Sequence, residues 1–503
     1  MHTELPDIDD VFDSIGGFGP YQISLIFLRQ WMAITLSANA FIYFSLNSIP
    51  SQVTCSQPMP NNSTDVCDIR ENCTKPIIQY EFYTYAEHFG LVCDKEWIAA
   101  LIPSLNTLMT LIILISSTIA DNMGRKQVLV VGYTISVLAG FLTAMSTTWV
   151  MLITLLIIQG LSQGLYTLST NALYAELVTK PWRSVIVCST QWCIIFMLDA
   201  ALGYLTKDWQ YFLLVSNAVS VPLILFHVFY VVESPRWLIQ QGKFEQAAKS
   251  MNFVAWVNRQ KHENPVTATE MEKYKTSSGK RVTPIDLFRN KKIAKHILLQ
   301  LVHAPVNYVG VSVILWNVGA LVGSPFLNLA LYGALRLWAP FLIVWIDWKA
   351  PKFGRKWTLL TTLMLVIGCF VALTSIFVLK MEHDLKLPVT ILSQGGALMI
   401  VGLFWVTVDI YNAELFPTVM RTMAASTTDA VGCIAASFTP FLLMFGRSWW
   451  APAPYAVVTG LCVFSWIVDL FFLPETHGKP LIESLEEVQY VTAMKPRTYD
   501  AKK

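Results

Sequence analysis

Charge is scarce in this sequence. Asp, Glu, Lys and Arg together make up 14% of its 503 residues, where ordinary soluble domains carry about 25%. The net charge of +2 gives no basis for a nucleic-acid partner. Metal-ligand spacing, a dinucleotide fingerprint and a phosphate-binding loop are all missing, so nothing points to a metal, a cofactor or ATP drive. A signal-peptide pattern is missing too. The first residues are acidic (Glu4, Asp7, Asp9, Asp10, Asp13), and the first apolar stretch is expected to target the chain by itself. One hydrolase-like string is present, Gly160-Leu161-Ser162-Gln163-Gly164. That motif works only on a strand–turn–helix with a His/Asp partner. Here it lies inside a long apolar segment, where Gly160 and Gly164 read as a close-packing small-xxx-small pair. No enzyme is expected.

What the chain has in abundance is apolar length, with 54% hydrophobic residues. Twelve stretches approach the ~20 residues a bilayer crossing needs. They fall at about 22–46, 97–119, 127–147, 149–173, 184–204, 209–232, 296–318, 326–347, 357–380, 389–412, 422–445 and 453–473. This predicts an all-α membrane protein with twelve transmembrane helices, because backbone polar groups in lipid must be satisfied internally. Lys and Arg crowd the links after the even-numbered spans, including Arg125/Lys126, Lys180/Arg183 and Lys349/Lys352/Arg355/Lys356. Both termini are therefore expected in the cytoplasm. The expected organisation is a cytoplasmic N-terminus (1–21), a six-helix half (22–238), a cytoplasmic central loop (239–295), a second six-helix half (296–475) and a cytoplasmic tail (476–503). The central loop contains a helical stretch near 244–257 and suits either a cap or a solvated connector.

The link at 48–96 is expected outside. It holds Cys55, Cys67, Cys73 and Cys93, an even number in an oxidising setting, and two disulfides are predicted with all three pairings open. The sequons at Asn61, Asn62 and Asn72 all fall in this link; glycosylation is expected here, with at most one of the overlapping first two occupied.

Three phrases occur twice, in the same order. Glu176-Leu177-Val178-Thr179-Lys180-Pro181-Trp182-Arg183 is matched by Glu414-Leu415-Phe416-Pro417-Thr418-Val419-Met420-Arg421, each with Glu and Arg seven apart. Asp121-Asn122-Met123-Gly124-Arg125-Lys126 is matched by Asp347 and Phe353-Gly354-Arg355-Lys356. Val232-Glu233-Ser234-Pro235 is matched by Leu473-Pro474-Glu475-Thr476. A duplicated membrane unit points first to a transporter, since two similar halves can rock about a central site.

Two further strings narrow this. Asp10-Val11-Phe12-Asp13-Ser14-Ile15-Gly16-Gly17-Phe18-Gly19-Pro20-Tyr21-Gln22 precedes the first span, and Glu233-Ser234-Pro235-Arg236-Trp237-Leu238 follows the sixth. With the Cys-bearing loop, which ends Leu91-Val92-Cys93-Asp94-Lys95-Glu96-Trp97, the chain resembles the organic cation, organic anion and carnitine transporter family of the major facilitator superfamily over nearly its whole length. The resemblance implies the major facilitator fold, two pseudo-symmetric six-helix halves. It also implies that Asp121, Arg125, Glu176, Arg183, Asp347, Arg355, Glu414 and Arg421 latch the inner side shut; the plainer reading is that they mark topology or cap helix ends. Two departures stand out. Ser117 replaces a Gly four residues before Asp121, and Asp347 lies seven residues before Gly354 where the first copy has three.

Charges inside spans are costly and are functional candidates by default. They are Asp199, Asp409, Asp429 and Asp469, against Arg29 and Arg336. Cation carriers of the resembled family tend to have an acid twelve residues after the span-eleven Arg; this chain has Cys433 there. Asp429 stands one turn earlier on the same face. It reads as a substrate-cation partner, as a structural pair with Arg336 or Arg29, or as a proton-coupling group shared with Asp409. Tyr308 in Tyr308-Val309-Gly310 resembles the family's Tyr-x-Gly phrase, and Tyr166, Trp338 and Trp405 add aromatic surface suited to an amine. Asp199 suits the entrance, Asp469 a structural or snorkelling role, and His303 a packed, hydrogen-bonded role. The expected function is alternating-access transport of small organic ions across the plasma membrane, leaning to a cation or zwitterion such as an amine, a choline-like or a carnitine-like compound. An anion carrier using Arg336 and Arg29 is the first alternative, a non-transporting receptor the second. The expected partners are the substrate and the lipid bilayer, with a coupling ion or exchange substrate left open.

Overall fold

A computed structural model describes residues 8–44, 52–55, 67, 76–179, 182, 192–260, 265–274, 285–318, 321–349, 354–382 and 384–476. Among these, ten helices are long and apolar enough to cross a membrane, from Cys93–Ser116 to Ala453–Phe472. The 25-residue helix Pro20–Phe44 and the shorter apolar helix Trp192–Thr206 occupy the places of spans one and five. Span four (Trp149–Glu176) begins where the Thr148 side chain accepts from the Met151 N–H. Span seven (Lys291–Trp316) begins where Asn290 accepts from the Lys292 N–H. Both are side-chain caps on orphan helix donors. Span eight starts with Ser324-Pro325, the proline standing where its missing N–H costs nothing.

Two spans are irregular. Span eight is broken: one helix ends at Arg336 and the next begins at Ala339. Span ten contains a π-helical stretch, Leu398–Phe404, between Lys386–Ala397 and Trp405–Leu415. Such widened turns cluster at functional sites in helices generally.

The chain groups into two compact units. The first comprises residues 1–39, 109–195 and 213–281. Its core gathers Tyr21, Leu25, Leu129, Tyr133, Leu173 and Leu223, all fully buried. The central link contributes a helix, Phe244–Val257, whose Ala247, Met251 and Val254 join that core. Asn258 at its end accepts from the Tyr21 N–H at 3.0 Å and donates to the Ile15 carbonyl at 3.3 Å. Asp9 of the helix Ile8–Ser14 is ion-paired with Arg236. Gly164 of the hydrolase-like string sits where a Cβ would come within 2.7 Å of the Thr110 carbonyl, which makes it a helix-packing glycine.

The second unit comprises residues 40–108, 196–212 and 282–503. Strands Gln52–Cys55 and Pro76–Gln79 pair antiparallel, and Cys67 is bonded to Cys93. Phe82 meets Phe212 and Phe326 edge-on, Phe196 meets Tyr332 at 5.2 Å, and Arg447 pairs with Glu96 at 2.8 Å. Asp199, expected at an entrance, is instead buried at 1% exposure. Asn61, Asn62, Asn72, Cys73 and Arg183 lie outside the described residues, as do the side chains of Cys55 and Asp347.

Candidate substrate site and charged gates

Each of the three repeated phrases meets the others at one end of its own half. In the N-terminal half, Gly124 separates spans two and three at φ +108°, a conformation open only to glycine. Arg125 then pairs with Asp121 at 2.7 Å and with Glu176 at 3.3 Å, joining the second phrase to the first. The Arg125 guanidinium also lies 5.9 Å from the Trp237 ring centre. Glu233, from the third phrase, accepts the Lys126 N–H at 3.1 Å and the Ser234 N–H at 3.0 Å. Its carboxylate therefore sits on the positive end of span three. Burial pushes the Glu233 carboxyl above its ordinary range, and the two N–H donors pull it back.

The C-terminal half repeats the device. Gly354 has φ +68°, and Arg355 pairs with Glu414 at 2.9 Å. Glu475 accepts the N–H groups of Arg355 and Lys356 at 3.0 and 3.1 Å. Lys356 Nζ donates to the Leu470 carbonyl as Lys126 Nζ does to Val228. Arg421 donates to the Phe416 carbonyl at 3.4 Å. The role of Glu233 and Glu475 as helix-end acceptors was missed in the sequence. The signal was there, in the third phrase keeping a glutamate in both copies.

Asp429, Asp409, Cys433 and Trp405 come together around Tyr308. Its hydroxyl donates to Asp429 Oδ1 at 3.0 Å, and its ring lies 5.2 Å from that of Trp405. Glycine makes room for it: a Cβ at Gly432, on span eleven, would overlap the Tyr308 ring. Directly after Tyr308-Val309, a Cβ at Gly310 would come within 2.8 Å of Ile400 in the π-helical stretch. Asp409, one turn beyond Trp405, faces open space and lies within electrostatic reach of both Asp429 and Arg336. Arg336 sits at the break in span eight, where the negative end of the first half-helix favours a cation. Cys433 is half-buried one turn past Asp429 and within electrostatic reach of Tyr308.

The two irregular spans touch here. A Cβ at Gly402 would come within 2.7 Å of the Ala339 methyl, and Ala339 and Ile343 pack with Leu403 in a small apolar cluster. Trp338, at the same break, is 70% exposed and packs on Phe341. Tyr166 belongs to the first unit, is buried and meets Tyr133 edge-on at 5.3 Å. Neither irregularity was foreseen, since both spans read in sequence as continuous apolar runs.

A duplicated helical membrane bundle, with charged turns at matching ends of its halves and a polar, aromatic cluster beside two irregular spans, defines a membrane transporter of the major facilitator fold. The chain belongs to the sugar (and other) transporter family, whose model matches residues 94–488; the family is one of transporters, not enzymes. Among curated relatives it is similar to solute carrier family 22 member 1 of Bos taurus, 28% identical over 95% of this chain and 80% of that protein. It is also similar to human organic cation/carnitine transporter 2, 28% identical over 82% of this chain and 73% of that one. The Drosophila melanogaster organic cation transporter protein is 25% identical over 95% of this chain and 94% of its own length. Among solved structures, the inward-open xylose transporter XylE of E. coli matches with a TM-score of 0.64 at 16% identity, over 93% of this chain and 99% of that one.

Proposed function

We propose that the protein is a plasma-membrane carrier that moves a small organic cation or zwitterion by alternating access, with both termini in the cytoplasm. The observation that carries this reading is the Tyr308–Asp429 hydrogen bond beside the Trp405 ring. An acid oriented by a phenol and flanked by an indole suits an ammonium group, through charge and through cation–π attraction of about 0.5–2 kcal/mol per ring. The charge count supports the same sign. Among the described residues, Asp409 lies within electrostatic reach of Asp429 and of Arg336, so two carboxylates against that cation favour a positively charged substrate. The names of the relatives point the same way, two of them being called organic cation or cation/carnitine transporters.

The Arg125–Glu176 and Arg355–Glu414 pairs serve as gates: each joins elements of one half, and each is placed to break and reform as that end opens and closes. Glu96 and Arg447 form the corresponding clasp at the opposite end.

The test is uptake of labelled tetraethylammonium into cells expressing Asp429→Asn or Arg336→Ala. Loss of a desolvated charge partner costs at least ~2 kcal/mol, so uptake by Asp429→Asn at low substrate should fall about 30-fold or more. Arg336→Ala should keep most of it. The opposite pattern, with Arg336→Ala silent and Asp429→Asn unaffected, would contradict the role given to Asp429.

A further inference from the structure

Span seven carries a second polar feature that the Tyr308 pocket does not use. His296, Gln300, His303 and Asn307 recur at intervals of four, three and four, which places them on one face of the helix. All four are buried, at 3%, 0%, 0% and 4% exposure. The face rises about 16 Å along the helix, about half the hydrocarbon thickness. At its centre His303 Nε2 meets Asp469 Oδ1 of the last span at 2.8 Å. Asp469 is itself wholly buried, so it does not snorkel. Its other oxygen accepts from Ser465 at 3.3 Å. On the other side of the ring, His303 Nδ1 stands 3.2 Å from Gln300 Oε1.

This geometry accommodates two protonation states with no more movement than a turn of the Gln300 amide. With Gln300 Oε1 facing the ring, both imidazole nitrogens confront acceptors, an arrangement that a ring with its second proton on Nδ1 would satisfy. When that proton leaves Nδ1, Nε2–H still donates to Asp469. The Gln300 amide turns over, and its Nε2 donates to the bare Nδ1; oxygen and nitrogen of the amide exchange places at the same two positions. The Gln300 amide nitrogen has no partner in the first orientation, so nothing holds it there. Both nitrogens of His296, one turn toward the Lys292/Lys295 end, are likewise buried with no hydrogen-bond partner. They offer the next station for a proton moving between that end and His303.

Among the described residues, no other titratable group is paired with His303 or Asp469. The last span adds Cys462 two turns away, and span ten brings Tyr411 within electrostatic reach of Asp469. The π-helical stretch presents only the edge of Phe404 to the His303 ring. On span eleven, Asp429 is engaged by Tyr308 and Arg421 by a backbone carbonyl. Arg447 is paired with Glu96, and Asp286 with Arg289. Burying such polar groups within a span is costly, and ionisable residues there are functional candidates by default.

We propose that His303 and Asp469 form a proton-binding site, reached along the His296–Gln300 face, and that the transport cycle takes up and releases one proton there. The coupling to transport rests on the carrier reading above; the proton site itself does not. Two measurements on the full-length purified protein separate them. The first is the infrared difference spectrum between about pH 5.5 and about pH 8.5, the window in which histidine charge changes. The proposal expects imidazole and carboxylate bands in the wild type that vanish in both His303→Gln and Asp469→Asn. A spectrum identical in wild type and variants would overturn it, whether or not any substrate is found. If His303→Gln does not reach the membrane, Asp469→Asn carries the same comparison.

The second is tetraethylammonium accumulation in proteoliposomes under an imposed gradient of one pH unit, which supplies about tenfold driving force per proton. The wild type should change its accumulation by up to that factor, and His303→Gln should equilibrate the cation without responding to the gradient. Equal gradient responses in the two proteins would refute the coupling. Absence of tetraethylammonium transport at every pH would count against the cation reading alone and leave the infrared result to decide the proton site.

Discussion

At the scale of single residues, glycines make the room that the charged and aromatic groups occupy. Gly124 holds φ +108°, and a Cβ there would come within 2.6 Å of Glu233 Oε2. Gly242 also has positive φ, +74°, but nothing lies within 4 Å of its missing Cβ. Gly124 therefore combines backbone strain with a contact, and Gly242 has strain alone. Gly242→Ala should cost about 1–2 kcal/mol from conformation alone. Gly124→Ala should cost more, because the Glu233 carboxylate must also leave the Lys126 and Ser234 N–H groups. Thermal midpoints of the purified variants check this: a clearly larger drop for Gly124→Ala is expected, and equal drops would show that the Glu233 contact contributes nothing. The repeated glutamates Glu233 and Glu475 were visible in the sequence as a matched pair. Their job was not, because the N–H groups they accept lie 107 and 120 positions earlier in the chain, and no local pattern predicts a contact of that length. The same holds for His303 and Asp469, 166 positions apart: each read alone as packing or snorkelling, and only the fold makes them a pair.

At the scale of elements, the unexpected feature is the contact between two irregular spans. Hydropathy reports apolar length and is blind to whether a turn is α or π, or to a break such as that after Arg336. Both irregularities border the Tyr308 pocket, where a broken helix leaves backbone ends free to face a polar ligand. The closeness of Gly402 to Ala339 gives a direct handle on this packing. Gly402→Ala should reduce uptake and stability through overpacking worth about 1–3 kcal/mol. Adding Ala339→Gly should restore much of the loss, giving a coupling energy of about 0.5–3 kcal/mol in a double-mutant cycle. Strict additivity of the two changes would mean that spans eight and ten do not meet where the structure has them meet. The span positions themselves were legible in the sequence, since ~20-residue apolar runs leave little freedom; the helices Pro20–Phe44 and Ala453–Phe472 begin and end within a few residues of the expected limits.

At the scale of the whole molecule, duplication accounts for most of what the sequence disclosed. Two halves with the same three phrases produce the same ion pair twice, Arg125–Glu176 and Arg355–Glu414, the pairs proposed above as gates. The sign of the substrate was harder to read, because the position after Arg421 that would declare it is Cys433. In the proposed site that information lies instead in Asp429 and its partner Tyr308. The most direct test of this central claim is a side-by-side uptake measurement on cells expressing the wild-type chain. Labelled tetraethylammonium, carnitine and a hydrophobic carboxylate would be offered at normal and at depolarised membrane potential. The account predicts uptake of the cation or the zwitterion, with cation entry falling on depolarisation as expected for a positive charge moving into a negative cell. Carboxylate uptake without cation or carnitine uptake would contradict it.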